Sequence, residues 1–166
     1  MGQIKYASFS ERGVRTDNED YIQIVSNPDD DRHLFVVCDG MGGHAMGEVA
    51  SQVVGSTICE YWEQASFDKG VEPVLQTAFK LASDALDAKA DILNKVEMGT
   101  TLVLAAIDGN QLTIAHAGDS RAYLLQNGEV AYQTQDHVER SVWGDFHQPK
   151  FLLLPKRKGR CGDSPV

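Results

Sequence analysis

The 166-residue sequence has few cysteines, no long apolar run and little positive charge, and these shortages exclude several classes of protein. Its three cysteines form no CxxC pair, which argues against a zinc ribbon or a disulfide scaffold and fits a reducing compartment. The apolar runs are too short to span a bilayer, and the opening MGQIKYASFS lacks the basic and apolar regions of a secretory signal. We therefore expect a cytoplasmic protein of single-domain size without a membrane segment.

The charge balance argues against polyanionic partners. The net charge is -9, and clustered lysine and arginine are what nucleic acids and anionic membranes bind. Five of the 15 basic residues lie between positions 150 and 160, which leaves residues 1–149 with a net charge of -13. This break in composition divides the chain into a main domain, residues 1–149, and an atypical basic tail, residues 150–166.

The first part of the chain alternates short strand-like runs with polar turns. We predict strands at residues 4–10, 21–25 and 33–39, and the continuous apolar run of the last one favours a strand buried on both faces. Two helices follow, at residues 45–63 and 71–95, because apolar residues recur there at helical spacing. A short polar loop joins them and predicts a helical hairpin.

The second part of the chain changes to short β-rich runs. TTLVLAAI, QLTIAHAG, RAYLLQ and EVAYQT are separated by turn-forming residues. Asn127-Gly128 between two such runs predicts a type I′ hairpin, which needs a positive φ angle at both turn positions. Strands before and after a helical hairpin indicate a layered α+β fold.

Two acidic or glycine-rich stretches offer oxygen ligands. ERGVRTDNED, residues 11–20, is either a charged surface loop or a source of carboxylates for Mg²⁺ or Mn²⁺, with an arginine that could hold a phosphate. DGMGG, residues 39–43, follows a buried strand, and its glycines would let the backbone approach an ion. The same stretch could also be a simple strand-to-helix turn. It is neither a P-loop nor a GxGxxG fingerprint.

Two further stretches carry less information when taken alone. GDSRAY, residues 118–123, is either a hairpin turn with an ion-pairing arginine or a second acidic corner, and MGTT, residues 98–101, is by itself a strand start. His44 and His116 lack a second histidine or cysteine at ligand spacing, so we interpret both as structural residues.

Taken in order, the motifs G-x-R-x-x-NED, DGMGGHxxGExAS, MGTT and GDSRAY resemble those of the metal-dependent serine/threonine protein phosphatases of type 2C, particularly the short bacterial members. The resemblance runs from about Ile4 to His137. It implies a four-layer α-β-β-α sandwich of two antiparallel sheets flanked by helix pairs, with a pair of Mg²⁺ or Mn²⁺ ions at one edge. The substrates implied are phosphoserine and phosphothreonine proteins.

The resemblance also implies roles for individual residues. Asp39 would bridge the two metal ions and the Gly40 carbonyl would bind one of them, with Glu19 and Asp20 completing that side. Arg15 matches the arginine that holds the substrate phosphate. Asp119 matches an acid near a third, weaker metal site of bacterial members.

The sequence departs from the family pattern at two places. Met41 stands where animal members carry a histidine thought to protonate the leaving group, and His44 is three residues too late to replace it. No Ser-Asp-Gly or final Asp-Asn follows Asp119, although family members hold the first metal ion with these acids. We therefore interpret residues 1–149 as a partial phosphatase domain whose C-terminal part is missing.

Two consequences follow from that interpretation. Hydrolysis should be weak or absent, and the alternative function is a non-catalytic phosphopeptide-binding or regulatory module. An incomplete sheet would also expose strand edges, which favours self-association.

Overall fold

The computed structural model describes residues 4–42, 46–136 and 150–155. The elements, in chain order, are β1 (Asp20–Asn27), β2 (Arg32–Met41), α1 (Met46–Gln64), α2 (Val71–Ile92), β3 (Gly99–Thr100), β4 (Leu102–Asp108), β5 (Gln111–Ala117), β6 (Tyr123–Gln126), β7 (Glu129–Gln133) and β8 (Lys150–Pro155). No helix among these residues is long and apolar enough to cross a membrane.

The strands form two antiparallel sheets. The larger sheet has the order β1-β2-β4-β5-β8, and the short β3 also pairs with β2. The smaller sheet is the hairpin of β6 and β7. The predicted α+β class with two antiparallel sheets is therefore confirmed, and the described part of the chain contains one helix pair.

The helices form as their apolar spacing predicts, and α1 and α2 pack against each other. Helix α2 ends three residues before the predicted Lys95, because the chain turns into the left-handed region at Asn94, where φ is 63°. The Lys95 amide then donates to the Ala90 carbonyl and the Asn94 amide to the Asp91 carbonyl. This Schellman motif satisfies carbonyls that the helix end leaves unpaired.

The core lies between the helix pair and one face of the larger sheet. Leu34, Val36 and Cys38 of β2 are fully or almost fully buried there, whereas Val37 on the opposite face is 39% exposed. The prediction that β2 is buried on both faces is thus wrong for the described residues. The reason is that the helices cover only one face, so the apolar run alternates between a covered and a partly open side.

Two segments differ from what their composition predicts. Residues 4–10 form no strand, because no strand in the described part of the chain pairs with them, although the Tyr6 ring packs edge-on against Phe35. Residues 150–155 of the predicted tail instead form β8, which pairs with β5. The remaining tail, 156–166, lies outside the described residues, and the division at residue 150 stays a prediction.

The Asn-Gly hairpin forms as predicted. Asn127 and Gly128 have φ angles of 54° and 82°, which are the positive values that a type I′ turn requires. The turn matters for the site because it holds β6 beside β7 and so brings the chain back toward the end of β5.

Candidate metal centre

Strand β2 carries the candidate bridging residue Asp39 near its end. Asp39 lies opposite Asp20 in the antiparallel register of β1 and β2, so the two side chains share one face of the sheet. Two carboxylates on neighbouring strands repel each other when both are ionised. A site with this pair is therefore suited to a cation.

The surroundings of Asp39 change its acidity. Its pKa is raised, first by burial and then by the negative charge of Asp20, with smaller contributions from Asp119 and Glu19. Arg15 acts in the opposite direction and lowers the pKa. All the predicted site side chains therefore lie close enough to Asp39 to affect its ionisation, although they come from three separate stretches of the sequence.

Glu19 is held against the first turn of α1. Its backbone carbonyl accepts hydrogen bonds from the Gly40 amide, at 3.1 Å, and from the Ser51 hydroxyl, at 2.7 Å. Its carboxylate lies beside the backbone of Gly47, since a Cβ atom built there would come within 2.7 Å of the Glu19 Cδ and Oε1 atoms. Both the backbone and the side chain of Glu19 are thus positioned by α1.

Gly40 and Gly47 form the closest backbone crossing in this region. A Cβ atom built on Gly40 would lie 2.0 Å from the Gly47 carbonyl oxygen, far inside van der Waals contact. A side chain at either position would push β2 and α1 apart. The absence of side chains at Gly40 and Gly47 therefore lets the Gly40 backbone lie beside Glu19. Both glycines are needed for this packing whether or not an ion is bound.

Arg15 lies in a much more open environment. Its side chain is 64% exposed, and its nearest ionic partner is Glu19, whose Oε2 atom is 4.0 Å from the Arg15 Nη1 atom. The loop is ordered locally by the Asn18 side chain, which accepts a hydrogen bond from the Asp20 amide and donates one to the Ser10 hydroxyl. The guanidinium therefore faces solvent, where it can meet a phosphate.

Asp119 lies in the turn after β5 and is exposed. The turn is anchored by Arg121, whose Nε and Nη2 atoms each donate a 2.7 Å hydrogen bond to the Asp136 carboxylate. This pairing lowers the pKa of Asp136. The buried His116 contributes a further link, since its Nε2 atom lies 2.9 Å from the Gln135 carbonyl oxygen. The interpretation of His116 as a structural residue stays a prediction.

The donors suit a hard divalent cation but do not complete its coordination. Carboxylate and carbonyl oxygens are the ligands that Mg²⁺ and Mn²⁺ take in proteins, and Glu19, Asp20 and Asp39 carry groups of this kind. In the described ranges, however, no three histidine, cysteine, aspartate or glutamate side chains are grouped closely enough to hold an ion. The region therefore resembles one side of a metal site.

Four residues in this region make contacts that the sequence motifs do not predict. Gly47 and Ser51 lie four residues apart on α1 and so share the face that meets Glu19. Thr101 and Ser120 connect the Asp39 backbone with the turn that carries Asp119. All four belong to the motifs GExAS, MGTT and GDSRAY, but the motif letters do not say which atom each residue contacts. Gly43 and His44 lie outside the described residues.

The chain is similar to a known protein family and to several known proteins. The model of the family described as "Protein phosphatase 2C" matches residues 4–141. The serine/threonine protein phosphatase PstP of Mycobacterium tuberculosis is 37% identical over 135 residues, which are 80% of this chain and 25% of the relative. The serine/threonine phosphatase stp of Listeria welshimeri is 33% identical, over 77% of this chain and 52% of the relative. The chain thus spans between a quarter and about half of these relatives.

Solved structures give the same picture. The crystal structure of the Mycobacterium tuberculosis phosphatase PstP/Ppp has a TM-score of 0.76 and is 31% identical, with 93% of this chain and 74% of that chain covered. The catalytic domain of PstP in complex with two manganese ions has a TM-score of 0.71 and is 29% identical, over 92% of this chain and 73% of that chain. The match therefore extends across most of the described fold.

Proposed function

Because the chain belongs to the protein phosphatase 2C family, we propose that it carries part of the site of a metal-dependent protein serine/threonine phosphatase. The single observation that supports this most is the pairing of Asp20 with Asp39 across β1 and β2, next to Glu19 and its exposed neighbour Arg15. The charges of these residues and of Asp119 also act on the pKa of Asp39. Three acidic groups and one exposed guanidinium around a partly buried carboxylate suit a cation together with a phosphate monoester.

The residues of the chain would have separate roles in binding the cation and the phosphate. Asp39, Asp20, Glu19 and the Gly40 carbonyl would supply some of the oxygen ligands for Mg²⁺ or Mn²⁺, which in such enzymes supplies Lewis-acid activation of water. Arg15 binds the phosphate of phosphoserine or phosphothreonine through its forked N–H groups. Asp119 would contribute to a weaker third site, because it is exposed at the rim and still acts on Asp39.

We expect hydrolysis by this chain to be weak or absent. The described residues bring no three carboxylates into one metal-holding group, and hard cations need several oxygen ligands at once. The described residues also supply no general acid at the expected place, where Met41 stands. Turnover would therefore depend on ligands that the described residues do not supply.

A phosphatase assay tests the proposal directly. Hydrolysis of p-nitrophenyl phosphate and of a phosphothreonine peptide would be measured with Mn²⁺ for the wild-type chain, Asp39→Ala and Asp84→Ala. Asp84 is a matched control because it is an exposed aspartate on α2 that pairs only with Lys80 among the described contacts. Low turnover that Asp39→Ala abolishes and Asp84→Ala keeps would support the proposal. Measurable turnover that is equal in all three chains would refute it, whereas absence of turnover in all three is expected of an incomplete site and leaves the decision to the binding experiment below.

The second candidate function is a phosphopeptide-binding or regulatory module without catalysis. It is favoured by the exposure of Arg15, which can meet a phosphate without a complete metal centre. Titration calorimetry with the phosphopeptide and its unphosphorylated form, in Mn²⁺ and in EDTA, separates the two functions. Phosphate-dependent binding without turnover supports the module, and loss of binding in Arg15→Ala but not in Arg12→Ala would assign it to this guanidinium.

The remaining expectations about partners are proposals of the same kind. Within the described residues β1 pairs only with β2, so its outer edge offers main-chain groups to a second strand. Sedimentation velocity over a range of concentrations tests the self-association that this edge would permit. A constant monomer would contradict it. We expect no nucleic-acid or membrane partner, and a cytoplasmic location stays a prediction.

A further inference from the structure

Thr101 contacts both main-chain polar groups of Asp39. It lies between β3 and β4 and is only 2% exposed. Its amide donates a 2.9 Å hydrogen bond to the Asp39 carbonyl, and its hydroxyl accepts a 3.1 Å hydrogen bond from the Asp39 amide. The backbone of the candidate bridging residue is therefore fixed on two sides by one threonine.

The same threonine contacts the turn that carries Asp119. Its hydroxyl oxygen lies 2.6 Å from the Ser120 hydroxyl oxygen. Since the Thr101 oxygen accepts from the Asp39 amide, its own proton can be donated to Ser120. The Thr101 methyl group is covered by the same turn, because a Cβ atom built on Gly118 would lie 3.0 Å from the Thr101 Cγ2 atom. Gly118 has a φ of 93°, which also favours glycine there.

Both parts of the Thr101 side chain thus have a defined contact. Valine would keep the methyl contact with Gly118 and lose both hydroxyl bonds, whereas serine would keep the hydroxyl bonds and lose the methyl group. A buried hydroxyl with two hydrogen-bond partners is costly to replace, because at least one partner is then left unsatisfied. The pattern points to a specific link between two strands of the site.

From these contacts we infer that Thr101 is a positioning residue that couples Asp39 to Asp119. The path consists of two hydrogen bonds, one from the Asp39 amide to the Thr101 hydroxyl and one between the Thr101 and Ser120 hydroxyls. A displacement of either acidic residue is transmitted to the other along this path. The inference deepens the proposed function and rests on it only for the identity of the cation, since the hydrogen-bond path itself needs no ion. In a metal-loaded site the path would make the central and peripheral ligands respond to each other.

The first test uses amide hydrogen exchange of the chain in EDTA, so it requires neither bound metal nor activity. Thr101→Val should make the Asp39 amide exchange about tenfold faster, as expected for one lost hydrogen bond. Thr101→Ser should restore the wild-type rate to within about twofold for the same reason. Thr113→Val is the matched control, because Thr113 is a fully buried threonine of β5 whose hydroxyl has no hydrogen-bond partner in the described part of the chain.

The second test measures transmission along the path. Asp119→Glu keeps the negative charge that acts on Asp39 through space, so its effect reports displacement of the turn. It should shift the NMR signal of the Asp39 amide in the wild-type and Thr101→Ser backgrounds and should no longer do so in Thr101→Val. Ser120→Ala, which removes only the second link, should keep the Asp39 exchange rate and still abolish this shift. Ser120→Ala also serves if Thr101→Val fails to fold.

The outcomes separate the inference from the proposed function. Transmission that survives in Thr101→Val or Ser120→Ala, or equal effects of Thr101→Val and Thr113→Val on the Asp39 amide, would overturn the inference. Calorimetric titration with Mn²⁺ tests the proposed function separately. If Mn²⁺ fails to bind any variant, the proposed metal centre fails, while the exchange and NMR results still decide the role of Thr101.

Discussion

The end of β2 and the segment before β1 supply opposite sides of the candidate site and are built in different ways. At the end of β2, Asp39 is held by main-chain hydrogen bonds, and the adjacent Gly40 is packed against the first turn of α1. In the preceding segment, residues 4–17 are almost entirely exposed, and Arg15 is positioned by its local loop. The proposed cation side is therefore part of the folded core, whereas the proposed phosphate side is a surface feature. Substitutions should affect stability on one side and binding on the other.

Of substitutions at Gly47, Asp39 and Arg15, Gly47→Ala should have the largest effect on stability. The added Cβ atom would lie within 2.7 Å of the Glu19 carboxylate and 2.8 Å of the Gly40 carbonyl carbon, so α1 and β2 must move apart. We expect a loss of about 2–3 kcal/mol in the free energy of unfolding, measured by urea denaturation, which is the upper part of the usual cost of overpacking because the new atom meets backbone. Gly13→Ala is the control, because it has a positive φ of 63° but no atom within 4 Å of the new Cβ. That change should cost only about 1 kcal/mol, and equal losses would contradict the close packing at Gly47.

A smaller change of opposite sign should come from Asp39→Asn in the absence of metal. The pKa of Asp39 is raised in the folded chain by burial and by Asp20, so the folded state binds more protons than the unfolded state between the ordinary and the raised pKa. The free energy of unfolding of the wild-type chain should therefore fall as the pH rises through this window. Asp39→Asn should remove that fall and be more stable than wild type at pH 7 in EDTA.

Urea denaturation of both chains at pH 7 and at pH 3.5 measures this difference. The stability advantage of Asp39→Asn should shrink at the lower pH, where the wild-type carboxyl is mostly protonated in both states. Asp84→Asn on the surface of α2 is the control for removal of a negative charge. An advantage of Asp39→Asn that is the same at both pH values would show that burial and repulsion at Asp39 are not its cause.

The smallest effect on stability should come from Arg15→Ala. The side chain is largely exposed and its contact with Glu19 is long, so the free energy of unfolding should change by less than about 0.5 kcal/mol. Phosphopeptide affinity should nevertheless fall by about tenfold or more, because a charge-assisted bidentate contact is lost. Calorimetry and denaturation of the same sample measure both values. A large loss of stability would contradict the distinction between a core-packed side and a surface-exposed side of the site.

Much of this fold could be predicted from residue patterns, and the failures have physical causes. Helical spacing located α1 and α2, and Asn127-Gly128 located the β6–β7 turn, because both signals are local. The missing strand at residues 4–10 and the pairing of β8 with β5 were not predictable in this way. A strand exists only where a neighbour supplies hydrogen bonds, and that neighbour is far away in the sequence.

The same distinction between local sequence signals and long-range contacts applies to the candidate site. The motif residues Arg15, Asp39 and Asp119 could be selected from the sequence because their order and spacing resemble a known family. The contacts of Ser51 with Glu19 and of Thr101 with Asp39 could not, since each joins residues more than thirty positions apart.

By itself the sequence determined the chemical groups available to this protein: acidic and backbone oxygens for the proposed cation, a guanidinium for the proposed phosphate, and glycines where backbones approach each other. Only the tertiary structure decided how these groups are arranged. It placed Asp20 opposite Asp39, packed Gly47 against Glu19, and linked Asp39 to Ser120 through Thr101. The physical reason is that hydrogen bonds and close packing act over a few ångströms, while the residues they join are brought together only by strand pairing and helix packing.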